Sequence, residues 1–263
     1  PATLTAGPES LKASIGAVKE AAQKGTKGAQ VVGVHLEGPF INEAKKGAQN
    51  PEFIRPASLT ELQEIRDEIG PLLKLVTLAP ETSGALEAIA LLRSWGVTAS
   101  IGHTDATYEE VMEAYRYGAT HICHTFNGMT GLHHRDPGVV GAALTCDGFT
   151  AELICDGIHV HPAVMRLVMR AKGVHNVVLI TDTIQAMDLA EGRYIFGGLE
   201  IEVSHGAARL MSGALAGSTL SMAKAVQNAI NWLGVSLSEA VQMASFNPAR
   251  AINIHHRKGS LVV

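Results

Sequence analysis

Six short runs of β-branched and apolar residues recur along the chain, at 31–34, 75–78, 98–101, 121–123, 151–155 and 177–181. Interspersed with them are longer stretches, 11–23, 59–69, 85–95, 108–117, 163–171 and 222–233, whose apolar residues return every three or four positions. The short runs predict strands and the long ones amphipathic helices. Strands and helices alternating this often predict a parallel sheet. Strands that are apolar almost throughout are expected where both faces are covered. Residues 1–5 read as the end of one further strand. Tyr194, Phe196, Leu199, Ile201 and Val203 fall at close to every second position within 193–210, which predicts a hairpin-like insertion after the last strand.

Nearly every predicted strand ends in a charged or imidazole residue: Glu37, Glu81, His103, His124, Asp156 and Asp182. A barrel builds its site at the carboxyl ends of all its strands, whereas an open doubly wound sheet concentrates it at one switch point. The pattern therefore predicts an α/β fold, a (β/α)8 TIM-type barrel with one end missing, and keeps the open sheet as the alternative. The 263 residues suit one catalytic domain spanning 1–263. An apolar content of 46% excludes a disordered chain. A net charge of −4 speaks against nucleic acid as a partner. No run of about 18 apolar residues predicts a membrane span, so no membrane partner is expected. Cys123, Cys146 and Cys155 show no paired spacing and fit small core hydrophobes in a reducing, cytoplasmic setting.

Twelve histidines shift attention to metal and proton chemistry. Glu37, His103 and His124 end three predicted strands. One carboxylate and two imidazoles form a common ligand set for a catalytic zinc or similar divalent ion, with the remaining position left to water. Taken singly, each histidine reads equally as a hydrogen-bonded loop residue. His35 and His121 read as supporting or packing groups. Asp182 is the candidate general base and acid, because amide hydrolysis needs a proton removed from water and another given to the amine. Asp156 competes with it, or serves only as a turn residue before Gly157. Asn127 and Gly128, followed by the polar loop carrying Arg135, are candidate anion ligands. A surface ion pair is the plain alternative for Arg135. Of His159 and His161, one is expected to face a substrate. Residues 213–218 read as a close backbone approach and a helix start, and the His255-His256-Arg257-Lys258 run as a solvated end.

Together these motifs resemble one family. Gly33-Val34-His35-Leu36-Glu37-Gly38-Pro39-Phe40, Lys46-Gly47-Ala48-Gln49, Gly102-His103-Thr104, His124-Thr125-Phe126-Asn127-Gly128-Met129, Arg135-Asp136-Pro137-Gly138, Asp156-Gly157-Ile158-His159 and Thr181-Asp182 occur in the order found in N-acetylglucosamine-6-phosphate deacetylases. The resemblance implies a metal-dependent amidohydrolase of amino-sugar catabolism and cell-wall sugar recycling. It would release acetate from N-acetylglucosamine 6-phosphate. Glu37, His103 and His124 would hold the metal, zinc first, with iron, cobalt, manganese or nickel as alternatives and the number of ions left open. Asp182 would be the catalytic acid and base, and His159 would bind the sugar and polarise the acetyl carbonyl. Ala48, Leu215, Ala216 and Gly217 would line the substrate pocket. Asn127, Gly128 and Arg135 would bind the phosphate, Arg135 across a homodimer interface. The resemblance also implies that the chain starts at the second barrel strand, without the first strand and the flanking β-sandwich domain. Thr183-Ile184-Gln185 is bulkier than the family pattern, and Gly128 stands where Ala is usual. Another amidohydrolase, dihydroorotase-like or dipeptidase-like, and a catalytically inactive barrel fragment are the competing expectations.

Overall fold

The computed structural model describes residues 1–260. Its main body alternates strand and helix: β1 (Ala2–Thr3), α1 (Pro8–Lys24), β2 (Val34–Glu37), α2 (Leu59–Ile69), β3 (Leu73–Leu78), α3 (Ala85–Ser94), β4 (Thr98–Ile101), α4 (Tyr108–Tyr117), β5 (His121–Ile122), α5 (Gly138–Thr145), β6 (Thr150–Ile154), α6 (Pro162–Lys172) and β7 (Val177–Ile180). The seven strands pair in sequence order, all parallel. Laid flat, the outer strands of such a sheet would stand about 29 Å apart at the usual spacing. Yet Ala2 and Thr3 of β1 share one cavity with Asp182 and Thr183, just past β7. The sheet therefore curls on itself as a TIM-type barrel does, and among the described residues β1 and β7 are not paired.

After β7 the chain forms a small antiparallel sheet, ordered β11 (Leu215–Ser218), β10 (Ala207–Leu210), β9 (Leu199–Ser204) and β8 (Gly192–Phe196). It has its own core of Ile184, Ala186, Ile201, Val203, Ala208 and Ala216. The helices α7 (Met222–Leu233), α8 (Leu237–Ala244) and α9 (Phe246–Ala251) return to the barrel.

Capping explains several boundaries. Ser58 accepts from Glu61 N at the start of α2, and Thr107 with Glu110 forms a capping box on α4. The strand expected at 31–34 is displaced to Val34–Glu37. Its polar members His35 and Glu37 point into the barrel, while Val34 and Leu36 join the helix-facing core. The same alternation holds next door. Val76, Ala99, Ile101 and Ile122 pack in the core under the helices. Thr77, Ser100 and His121, at the intervening positions, are buried polar residues. β2, β4 and β5 thus carry polar residues on the inner face, against the expectation of nearly continuous apolar runs, whereas β7, Val177-Val178-Leu179-Ile180, is apolar on both faces as expected. The helix start expected at 213–218 is instead the strand β11. Helix α5 escapes a periodicity reading because nearly all of it is buried and it contains two glycines and two valines.

Gly102 separates β4 from His103 and lies between two strands. A Cβ there would stand 2.7 Å from Cys123 Cβ and 2.9 Å from Thr77 Cγ2. Gly102→Ala is expected to destabilise the fold by about 1–3 kcal/mol through overpacking. Urea unfolding would show this as a lower midpoint with an unchanged slope.

Candidate active site

Three strained turns carry the site. Among the described residues seven non-glycines have left-handed backbone, and three of them are His103 (φ 49°), His124 (φ 23°) and Asp182 (φ 48°). Each lies two residues past the end of its strand, β4, β5 and β7 respectively. Such conformations cost on the order of 1–3 kcal/mol and persist where the surroundings over-determine them. Here they turn side chains inward over the mouth of the barrel, toward Glu37 at the end of β2.

Glu37 Oε1 lies 3.0 Å from His103 Nε2 and 3.3 Å from His124 Nε2, and the two Nε2 atoms are 3.1 Å apart. The rings meet edge to face with centroids 4.7 Å apart. His103 Nδ1 donates to Lys45 O at 2.9 Å and His124 Nδ1 donates to Asn127 O at 3.1 Å. A carbonyl can only accept, so each neutral ring turns an unprotonated Nε2 toward the carboxylate. Three acceptors brought together in a buried place repel one another unless a cation stands between them. A tetrahedral ion with bonds of about 2.0–2.2 Å sets its ligand atoms about 3.3 Å apart. The observed donor set, all three residues buried, fits a divalent ion.

The electrostatics agree. Burial alone would raise Glu37, but its hydrogen bonds with His103 and His124 hold it well below the usual carboxylate range. Burial alone would lower His124, but the hydrogen bond and charge of Glu37 push it up to about 9. A proton and a metal ion therefore compete for the same negative place.

Asp182 is half-buried on the wall of the same cavity. Burial and the charge of Glu37 push it up to about 7, against the opposing influence of His124 and His159. Its backbone is fixed by β11: Ser218 N donates to Asp182 O at 2.7 Å, and Ile184 N donates to Ser218 O at 3.1 Å. This contact requires Gly217, with φ +61°. A Cβ there would stand 2.6 Å from Ile184 Cγ2 and 2.9 Å from Asp182 O. The bulky Ile184 is accommodated because its neighbour has no side chain.

Asp156 orients a ring. Its Oδ1 accepts from the backbone N–H groups of Ile158 and His159 at 2.8 and 2.9 Å, and its Oδ2 lies 2.6 Å from His159 Nδ1. Burial would raise Asp156, but the bond and charge of His159 bring it below its ordinary value. His159 lines the cavity. His161 does not; its Nδ1 caps α6 by accepting from Ala163 N. Glu81, the strand-end carboxylate of β3, ties loops together by accepting from Asn42 Nδ2, Asp105 N and Thr104 Oγ1 at 2.9, 2.7 and 2.5 Å.

The cavity holds about 450 Å³, within the range of small-ligand sites. Glu37, His103, His124, Asp182 and His159 share its wall with Ala48, Asn127, Gly128, Leu215 and Gly217. Ala216 is fully buried in the core of the small sheet, because a strand's period of two alternates it with Leu215 and Gly217. Arg135 is also outside the cavity, on an exposed loop with its Nη1 2.6 Å from His134 Nε2. Sequence reasoning missed Gln49, Ile184, Gln185 and Phe196 in the wall. Gln49 carried a signal in its place beside Ala48. It is buried, and its Oε1 accepts from Thr5 N at 2.7 Å.

The amidohydrolase family profile matches residues 3–263. The chain is 43% identical to an N-acetylgalactosamine-6-phosphate deacetylase of Escherichia coli O157:H7, over 99% of this chain and 69% of that protein. It is 42% identical to an N-acetylglucosamine-6-phosphate deacetylase of Vibrio furnissii, over 99% of this chain and 65% of that protein. A solved structure of a Mycobacterium smegmatis N-acetyl-D-glucosamine-6-phosphate deacetylase mutant, in complex with N-acetyl-D-glucosamine-6-phosphate, superposes with a TM-score of 0.92 at 36% identity. That match covers 96% of this chain and 67% of that one. The chain thus spans about two-thirds of the length of these relatives.

A ligand that binds only the folded state stabilises it, by about 2.7 kcal/mol at a hundred times its Kd. Zinc added to chelator-treated protein is expected to raise the melting midpoint accordingly. His103→Ala and His124→Ala are expected to lose this rise, as thermal unfolding with and without zinc would show.

Proposed function

The chain belongs to the amidohydrolase family, on the branch of the N-acetylglucosamine-6-phosphate deacetylases, and we propose that its cavity hydrolyses the acetamide of N-acetylglucosamine 6-phosphate, giving glucosamine 6-phosphate and acetate. The observation that carries this reading is the convergence of Glu37, His103 and His124 beside Asp182 in one cavity. Held by those three residues, a divalent ion, zinc first among the candidates, supplies Lewis-acid chemistry that makes water reactive near neutral pH.

The remaining work falls to side chains. Asp182, ionised, takes the proton of the attacking water and returns one to the departing amine. Its raised value places it close to neutrality, where a base can both accept and release a proton. His159, oriented through Nδ1 by Asp156, presents Nε2 to the substrate, accepting from a sugar hydroxyl as the neutral ring and donating to the acetyl carbonyl as the imidazolium. Ala48, Leu215 and Gly217 line the sugar, and Asn127 and Gly128 take the phosphate. Among the described residues no Lys or Arg lines the cavity. A phosphate dianion calls for a cation. The reading therefore takes Arg135 from a second copy, in a homodimer.

A second cleft of about 470 Å³ lies between Pro1 and Ala2 on one side and residues 179–183 on the other. It is the place for the remaining strand of an eight-stranded barrel, which with a flanking sandwich completes the domain in this reading. None of the helices of the described residues is long and apolar enough to cross a membrane. Three free cysteines support a reducing, cytoplasmic setting. The relative named for the galactosamine substrate makes the C4 epimer a competing substrate.

Acetate release by the zinc-loaded chain is expected with N-acetylglucosamine 6-phosphate and to fall sharply with the unphosphorylated sugar. Equal release from both would remove the phosphate site, and greater release from the galactosamine epimer would reverse the sugar preference. Asp182→Asn is expected to lower kcat by about 10²–10⁴. Because the charged carboxylate is the active form, kcat/KM should rise with pH to a plateau above about 7 and fall away on the acid side. A bound cation moves that limb downward, never upward. Arg135→Ala is expected to raise KM for the phosphorylated substrate alone; a KM unchanged in a chain shown to be dimeric overturns its role.

A further inference from the structure

Beneath the candidate metal site lies a layer of buried polar side chains. His35 Nε2 is 2.7 Å from Thr77 Oγ1, and His121 Nε2 is 2.9 Å from Glu152 Oε1. Glu152, on β6, is 6% exposed; it lines not the catalytic cavity but the second cleft, which Glu37 and His124 also border. Its second oxygen, Oε2, accepts the backbone N–H of His124 at 3.0 Å, and its carbonyl accepts the backbone N–H of Thr125, also at 3.0 Å. One residue therefore grips the peptide groups on both sides of the His124 Cα. That grip falls where it is needed, because His124 has φ +23°, a conformation that an L residue rarely adopts.

Two acceptors are required together. The N–H of His124 cannot turn away, and the His121 ring approaches the other oxygen from β5. The carboxylate offers an acceptor to each; a carboxamide offers one acceptor and one donor, and meets both only where His121 Nε2 accepts. We propose that Glu152 is a positioning residue of the metal centre. It acts through the backbone of His124 to hold that ring's Nε2 against Glu37 and His103. This rests on the reading of those three residues as metal ligands.

The test measures zinc directly, by competition with a chromophoric chelator, together with the visible band of the cobalt-loaded chain and the melting midpoint of the metal-free chain. Loss of a group that orients a ligand typically costs about 10–100-fold in metal affinity. E152M, which removes both acceptors, is expected to weaken zinc by that factor and to shift the cobalt band while still folded. H121Q, which leaves the bond from Glu152 to His124 in place, is expected to weaken zinc less than E152M does. A folded E152M that binds zinc like the parent, with an unshifted cobalt band and only a lower melting midpoint, overturns the proposal and leaves Glu152 a structural group. Should E152M fail to fold, E152D carries the same test. Its shorter arm cannot reach both donors, so unchanged zinc affinity in E152D is the overturning result. Failure of the parent chain itself to bind zinc would instead remove the metal centre, and this role with it.

Discussion

The parallel register of the strands decides where every reactive atom sits. Glu37 pairs with Thr77, Thr77 with Ser100, and Ser100 with His121. Because neighbouring strands run the same way and the sheet curls, their carboxyl ends meet over one mouth. A one-residue slip in any of them would carry its inward side chains to the helix side. Register is held by the outer face, where Leu36, Val76, Ile101 and Ile122 pack under the helices. The site thus depends on apolar contacts that it does not touch.

A second constraint follows from the chemistry of the groups so collected. Glu37 and the two imidazoles present acceptors to one another, with the ring protons committed to Lys45 O and Asn127 O on the far sides. Positive charge resolves this conflict, whether it arrives as a proton on His124 or as a metal ion. The ion has the advantage near neutrality when its affinity is high, because one ion satisfies all three groups and a proton only two. Asp182 sits in the same negative field, and burial and that field push it up to about 7, the range that the base role proposed for it calls for.

Much of this was legible in the sequence because strand ends carry the chemistry. Helices α2, α4 and α7 match their predicted spans, and β4 matches residue for residue. Glu37, His103 and His124 stand out because charged and imidazole groups interrupt apolar runs just where a barrel opens. Those same interruptions misled the reading of β2. His35 and Glu37 look like loop residues until the inner face is known to be polar, so the apolar run predicts the strand three residues too early. Short helices α8 and α9 gave too little periodicity to register. The wall formed by Ile184, Gln185 and Phe196 was hidden for another reason. It comes from how the small sheet folds back on β7, and no local pattern encodes that approach.

The polar inner face also accounts for the division of stability within the fold. Filling the barrel interior with hydrocarbon would often be as stable as buried charge, or more so. It would, however, leave the buried N–H of His124 without a partner, at a cost of about 1–3 kcal/mol. The strained turn and the buried carboxylate are therefore one device: the turn aims the ring, and Glu152 satisfies the amide that the turn exposes. Glu81 does for the loops of β2 and β4 what Glu152 does for β5, accepting Asn42 Nδ2 and Asp105 N with one side chain. Glu81 and Glu152, neither a candidate ligand, are thus each tied to a backbone N–H at or near one: Asp105 N, two residues past His103, and His124 N itself. The outer face of the sheet supplies the stability, and the inner face uses part of it to hold imidazoles and carboxylates in conformations they would not otherwise keep.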